Sequence, residues 1–252
     1  MDHAIYTAMG AAGQTLDQQA IITNNLANAS TPGFRAQLFA MRAVPIEGQT
    51  LPTRTLVVAS TPGALMTQGP LDNTDRPLDV AVQDQGWLAV QLPDGTEAYT
   101  RNGNMQVDAT GQLLIQGYPV MGQGGPLTVP TQSAITVAAD GTVSALGDGD
   151  APNTIGPVGQ LKRVKPADAS QLERGDDGLF HLTAAASAAT GGTLPNDETI
   201  KVMPGVLEGS NVNTAETLVD MIGSARRFEM QMKVIADVDQ NAEHANQLLS
   251  LS

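Results

Sequence analysis

Three histidines, His3, His181 and His244, are the chain's entire stock of imidazoles, and they stand in unrelated segments with none of the spacings that hold a metal. Cysteine is absent, which removes disulfides, thiolate catalysis, Cys-ligated zinc and iron–sulfur clusters together. Asp108-Ala109-Thr110-Gly111 has a faint likeness to a protease Asp-Thr-Gly, but the inserted residue and the turn context make it a hairpin loop. Asp148-Gly149-Asp150 starts like a calcium loop. Position 6 has no Gly and Gly159 stands at position 12 where Glu is needed, so it reads as an acidic turn. Gly122, Gly124 and Gly125 precede Pro126 rather than a helix and cannot cradle phosphate. Asn28-Ala29-Ser30 fits a glycosylation sequon, yet it falls at the end of a helix. The 26 Asp and Glu residues could include a glycosidase pair. Aromatics to line a sugar cleft make up only 3% of the chain, and no carboxylate sits in an apolar stretch that would raise its pKa. The expectation is therefore no catalytic, cofactor-binding or metal site.

Composition narrows the remaining classes. A formal charge of -13 argues against a nucleic-acid partner, whose affinity rests on clustered Lys and Arg. The N-terminus lacks a basic region followed by an apolar stretch, and nowhere do eighteen apolar residues run together. Neither a cleaved signal nor a membrane span is visible, so any exit from the cytoplasm needs a route that does not read such a signal. Apolar residues make up 41% of 252, enough for a core, but 26 Gly and 15 Pro mark a turn-rich chain.

Such a chain must build its elements from the ends inward. Ile5, Ala8, Ala12, Thr15, Gln19, Ile22, Leu26 and Ala29 alternate at spacings of three and four, predicting an amphipathic helix with a narrow seam. Amides surround the seam at Gln14, Gln18, Asn24, Asn25 and Asn28, and Ser30-Thr31-Pro32-Gly33 stops the helix. At the far end Asn213 and Glu216 form a helix-starting box. Leu218, Met221, Ala225, Phe228, Met232 and Ile235 follow at helical spacing; the seam then shifts to Val238, Ala242, Ala245 and Leu249, which resembles a stutter. From about Gln37 to about Gly205 helical periodicity disappears. Short apolar runs alternate there with Asp94-Gly95, Asn102-Gly103, Asp140-Gly141 and Asp177-Gly178, pairs that suit tight turns with positive φ. The predicted class is α+β: a mostly antiparallel β-body inserted between terminal helices that pair as a coiled coil. The N-terminal seam is too small and polar to bury much area in a lone pair, so neighbouring subunits are expected to complete it, leaving the helices poorly ordered in a lone monomer.

Three segments now carry a resemblance. Asn24-Asn25-Leu26-Ala27-Asn28-Ala29-Ser30-Thr31-Pro32-Gly33-Phe34-Arg35 resembles the NNLAN-x-x-T-x-GF-[KR] signature of the bacterial flagellar rod and hook proteins. Arg76 to Gly122 is similar to that family's LD-x-A-x-x-G-x-G-[FW] and YTR-x-G-[NS] body. GVLEGSNVNTAETLVDMIGSARRFEMQMKVI resembles its E-x-SNV and MI-x-x-R-x-[FY]-E helix. Trp87 stands where the family more often has Phe, and Pro32 where many members have another residue. The length and ends look most like a proximal-rod member, with the distal-rod paralogue as rival. A non-flagellar surface or pilus-like β-protein with helical ends is the remoter alternative.

The resemblance implies a structural subunit, not an enzyme, that assembles helically into a torque-carrying drive shaft around the export channel. It implies terminal helices at 1–35 and 207–252 in an inner tube, a connecting region at 36–75 and 185–206, and an outer β-domain at 76–184. Its partners would be other rod proteins, further copies of itself and the flagellar type III export apparatus, with no nucleic acid or small-molecule substrate. The location would be the basal body, spanning the periplasm. Asn24, Asn25, Leu26, Asn28, Thr31, Gly33 and Phe34 are the expected assembly motif. Ser210, Asn211 and Val212 do the matching job at the entry to the second helix, whose interface is Leu218, Met221, Ala225, Phe228, Met232 and Ile235. Arg226, Arg227 and Glu229 are candidates for ion pairs between neighbouring helices.

Overall fold

The computed structural model describes residues 2–45, 55–60, 63–147 and 155–250. The Asp148-Gly149-Asp150 turn lies outside them. The chain divides into two compact units, one formed by residues 1–29, 37–62 and 212–252, the other by 30–36 and 63–211.

The first unit is helical. Helix α1 (Asp2–Ala27) follows its predicted seam, with Ala12, Thr15 and Ile22 buried along it. Helix α3 (Thr214–Ser250) has 37 residues and begins on Asn213, whose side-chain oxygen accepts the N–H groups of Ala215 and Glu216. Its seam differs from the sequence reading. Among its more shielded positions, Met221, Ser224, Phe228, Gln231, Ile235 and Val238 form an unbroken alternation of three and four, so the seam does not shift between Ile235 and Val238; the side chains of Ala242, Ala245 and Leu249 lie outside the described ones. Two polar residues complete the repeat. Ser224 is fully buried and donates to the Thr15 carbonyl at 3.4 Å, while the Thr15 hydroxyl lies 3.0 Å from Gln231 Oε1. Ala225 and Met232, the apolar residues next to them at helical spacing, are half-buried and exposed instead. Strands Ala40–Pro45 and Thr55–Ser60 pair antiparallel in this unit.

The second unit is almost wholly β, and every strand pairing described in it is antiparallel. Its largest sheet has five strands in the spatial order 163–164, 87–91, 97–100, 180–182 and 172–174. Val80, Leu88, Met105, Leu113, Ile115 and Leu161 are fully buried in the main core. A second cluster gathers Trp87, Tyr99, Leu172, Phe180 and Leu194, with Trp87 tilted against Phe180 at a ring separation of 4.6 Å. Burial pushes the Tyr99 hydroxyl up to about 12, and its oxygen accepts the Leu194 N–H at 2.8 Å. Helix α2 (Ala184–Thr190) was not anticipated. Seven residues are too few to show periodicity, but Thr183 caps its start and Gly191 ends it at φ +72°.

Three of the four turn pairs carry a positive-φ glycine, at Gly95, Gly141 and Gly178. Gly103 is needed for another reason: a Cβ there would lie 1.6 Å from the Val80 carbonyl oxygen. The exposed turns share a device that spacing shows only in retrospect. Asp94, Asp108, Asp140 and Asp197 each accept the backbone N–H two residues on, where a Thr stands. Hydrogen bonds from that Thr hold Asp94, Asp108, Asp140 and Asp197 below the usual carboxylate range. A carboxyl with a lowered folded-state pKa stabilises the fold fully above its ordinary pKa and loses that contribution as pH falls from there through the lowered folded-state value. The gap between the urea midpoints at pH 7 and pH 3 should therefore narrow when all four are changed to Asn, which keeps the turn acceptor and removes these four titrations.

Candidate functional site

The residues expected to form the assembly motif divide between the two units. In the helical unit, Asn25 makes a paired contact with Gln37: its Nδ2 donates to the Gln37 carbonyl at 3.0 Å and its Oδ1 accepts the Gln37 N–H at 2.9 Å. Asn28 Nδ2 donates to the Asn24 carbonyl at 2.9 Å, and Leu26 is half-buried on the seam. These amides fix where the helix stops and how the chain leaves it.

In the β-unit, the Thr31 carbonyl accepts the Phe34 N–H at 3.3 Å. Gly33 takes φ +71° and donates its N–H to the Glu208 carbonyl at 2.7 Å. Phe34 is buried, with the Arg174 guanidinium 4.1 Å above its ring. Asn211 meets this segment rather than capping a helix. Its N–H donates to the Phe34 carbonyl, its Oδ1 accepts the Ala36 N–H at 2.7 Å, and its Nδ2 donates to the carbonyls of Leu65 and Thr67. One side chain thus ties 34–36 to 65–67. Ser210 is buried beside it, whereas Val212 belongs to the helical unit.

Sequence reasoning missed the charged group on which this arrangement rests. Arg35, Arg101 and Glu208 are at most 2% exposed. Arg35 Nη1 lies 2.6 Å from Glu208 Oε1, and Arg101 Nε lies 3.1 Å from Glu208 Oε2. Glu208 Oε1 also accepts the Gly69 N–H at 3.0 Å, and Arg35 Nη1 donates to the Thr67 carbonyl at 2.8 Å. Arg101 donates to the carbonyls of Gly86 and Asp84, and its guanidinium stands 5.8 Å from the Trp87 ring centroid. Burial, reinforced by the neighbouring Arg35, pushes Arg101 down to about 10, which leaves it charged at neutral pH. The signal was present: each residue comes from a different one of the three segments that carry the resemblance, GFR, YTR and LEGSNV.

On α3, Leu218 and Met232 are each 47% exposed, while Met221, Ala225, Phe228 and Ile235 are half-buried. Arg226, Arg227 and Glu229 are exposed and take no part in the ion pairs found among the described residues. His181 pairs with Asp177 at 3.0 Å, His244 is exposed, and among the described residues no three side chains gather as metal ligands. No helix among them is long and apolar enough to cross a membrane.

The segments that supply these contacts also match known proteins. Residues 5–35 match the family described as flagella basal body rod protein, 81–145 the flagellar hook protein FlgE/F/G D1 domain, and 203–248 the flagellar basal body rod FlgEFG protein C-terminal region. The flagellar basal-body rod proteins FlgF of Salmonella typhimurium and Escherichia coli are each 67% identical to the chain over 252 residues, the full length of both partners. The chain belongs to the flagellar basal-body rod protein family. The rod protein FlgG of Buchnera aphidicola is more distant, 34% identical over 249 residues that span 90% of this chain and 92% of its own. This rod protein is a structural subunit of the flagellar basal body. Within it the Arg35–Glu208–Arg101 group is an internal clamp, joining three chain segments that are far apart in sequence.

Proposed function

We propose that the chain works in the proximal rod, added head-to-tail into a helical shaft that carries torque and surrounds the export channel. Identity of 67% to FlgF proteins against 34% to a FlgG protein favours the proximal over the distal position. The flagellar type III apparatus delivers it across the inner membrane to its place spanning the periplasm. It performs no chemistry; its work is done by the surfaces it presents.

The observation that carries this reading is a second stripe on α1. Tyr6, Met9, Gly13, Leu16, Ala20, Thr23 and Ala27 repeat at the same three-four spacing as the seam but lie exposed, with Tyr6 at 67% and Met9 at 55%. On α3, Val219, Ile222 and Met230 are likewise uncovered. A helix with two adjacent apolar stripes needs a partner on each, and one chain supplies only one. Asn24, Asn25, Leu26 and Asn28 set the helix end, while Thr31, Gly33 and Phe34 lead the chain into the β-unit. Ser210, Asn211 and Val212 mark its way back to α3. In this reading Leu218 and Met232 join the contacts between subunits, and Met221, Ala225, Phe228 and Ile235 hold the helix within one.

Leu16→Glu separates assembly from folding. Leu16 is 49% exposed, so the purified monomer should lose no more than about 0.5 kcal/mol. The same variant should fail to restore swimming or complete basal bodies in a strain lacking the gene. Normal swimming with a full complement of rods would refute the role of this stripe. A deletion strain that still swims would refute the rod reading itself.

A further inference from the structure

The chain has ten methionines and no cysteine, so thioether sulfur is what an oxidant meets. The fold sorts the described ones by exposure. Met105 is fully buried in the main core, and Met66, Met121, Met203 and Met221 are half-buried. Met41 is 42% exposed on the strand pair of the helical unit, and the remaining three, Met9, Met230 and Met232, are 55%, 60% and 47% exposed on the two long helices. Adaptable core is the ordinary role of methionine at helical spacing, and exposure of this order rules it out within one chain. These three stand instead where contacts between subunits are assigned. Met9 lies between Tyr6 and Gly13 in the outer stripe of α1. Met230 and Met232 flank Gln231, whose side chain meets Thr15, so they occupy the two shoulders of the α3 seam.

An exposed thioether reacts where an exposed Leu16 or Val219 does not. A hydroperoxide transfers one oxygen atom to it: the O–O bond breaks, an S–O bond forms, the sulfur loses two electrons and the peroxide departs as water or an alcohol. The sulfoxide is polar and chiral, and its oxygen needs a hydrogen-bond donor that an apolar stripe does not offer. On a free subunit that oxygen stays in water; in a contact between subunits it must be buried. We propose that Met9, Met230 and Met232 form an oxidation-sensitive assembly switch: hydroperoxides convert them to sulfoxides on the free subunit, leaving it folded but barring it from the shaft until the sulfoxides are reduced. This switch rests on the outer stripes being contacts between subunits.

Full-length protein treated with dilute hydrogen peroxide and mapped by peptide mass spectrometry should gain oxygen at Met9, Met230 and Met232 about tenfold or more faster than at Met105. Its urea midpoint, followed by the emission of the single tryptophan, Trp87, should not move while Met105 stays intact. Gln copies the polarity of the sulfoxide at similar length, and Leu keeps the apolar surface without the sulfur. In a strain lacking the gene, Met9→Leu, Met230→Leu and Met232→Leu together should restore swimming, whereas Met9→Gln, Met230→Gln and Met232→Gln together should lower the number of complete basal bodies about tenfold or more. When the gene is induced during a sublethal peroxide pulse, the Leu variant should complete several-fold more basal bodies than the unsubstituted chain. Oxidation of all four methionines at one rate, equal numbers of basal bodies under peroxide, or normal swimming of the Gln variant overturns the switch. If the Gln variant swims while Leu16→Glu does not, the stripe stands and the switch alone falls; if both swim, the stripe falls with it.

Discussion

Glu208→Ala should destabilise the β-unit by about 3–5 kcal/mol, because it leaves two buried guanidiniums facing each other without their shared carboxylate. The loss has three parts. Arg35 loses its 2.6 Å contact with Oε1, Arg101 loses its 3.1 Å neighbour at Oε2, and the Gly69 N–H loses its acceptor. None of these groups is restored to bulk water without opening the surrounding segments, since Arg35 and Arg101 are 1% and 2% exposed. Urea unfolding followed by Trp87 emission measures the loss where it occurs, as Trp87 lies beside Arg101. Glu208→Gln should cost less than Ala, because an amide oxygen can still accept from Gly69. Changing all three residues to apolar ones, Arg35→Met, Arg101→Met and Glu208→Leu, should recover much of the loss by removing the uncompensated charge altogether. A Glu208→Ala protein with an unchanged midpoint would mean that the buried charges are not coupled as the distances indicate.

What the sequence revealed and what it concealed follow from the range of the forces involved. Helix α1 was legible because its seam is a local repeat: Ala12, Thr15 and Ile22 are buried as their spacing predicts. Helix α3 was legible in extent but not in facing, because Ser224 and Gln231 occupy seam positions through hydrogen bonds that depend on Thr15, some two hundred residues away. The Asp-Gly turns were legible from dipeptides, yet Asn102-Gly103 has no positive-φ glycine; its glycine answers to the Val80 carbonyl, a steric fact with no local trace. The ion cluster is the extreme case. Arg35, Arg101 and Glu208 each look like solvated charge within their own segments, and only the tertiary fold makes them one site. A signed charge standing in each of three diagnostic motifs was the clue available.

Gly33→Ala tests whether the motif's glycine serves conformation or proximity. An L-residue at φ +71° costs about 1–2 kcal/mol by itself. Gly33 faces a second obstacle, since a Cβ would lie 2.3 Å from the Asn102 nitrogen and 2.4 Å from the Arg101 carbonyl carbon. Backbone cannot yield as a flexible side chain does, so the segment carrying Phe34 and Arg35 must move away from Arg101, loosening the Gly33 N–H bond to Glu208 and the ion pairs beside it. The two costs together should reach about 3 kcal/mol or more. Gly95 supplies the control: it has φ +86° but nothing within 4 Å of the point where a Cβ would stand, so Gly95→Ala should show the conformational cost alone. The difference between the two urea midpoints then measures the close approach of residue 33 to 101–102. Equal midpoints would show that this approach contributes nothing and that Gly33 stands in the motif for its left-handed backbone only. A wide gap would mean that the chain leaves α1 by a path with no room for a side chain, and that this path and the buried ion cluster stand or fall together.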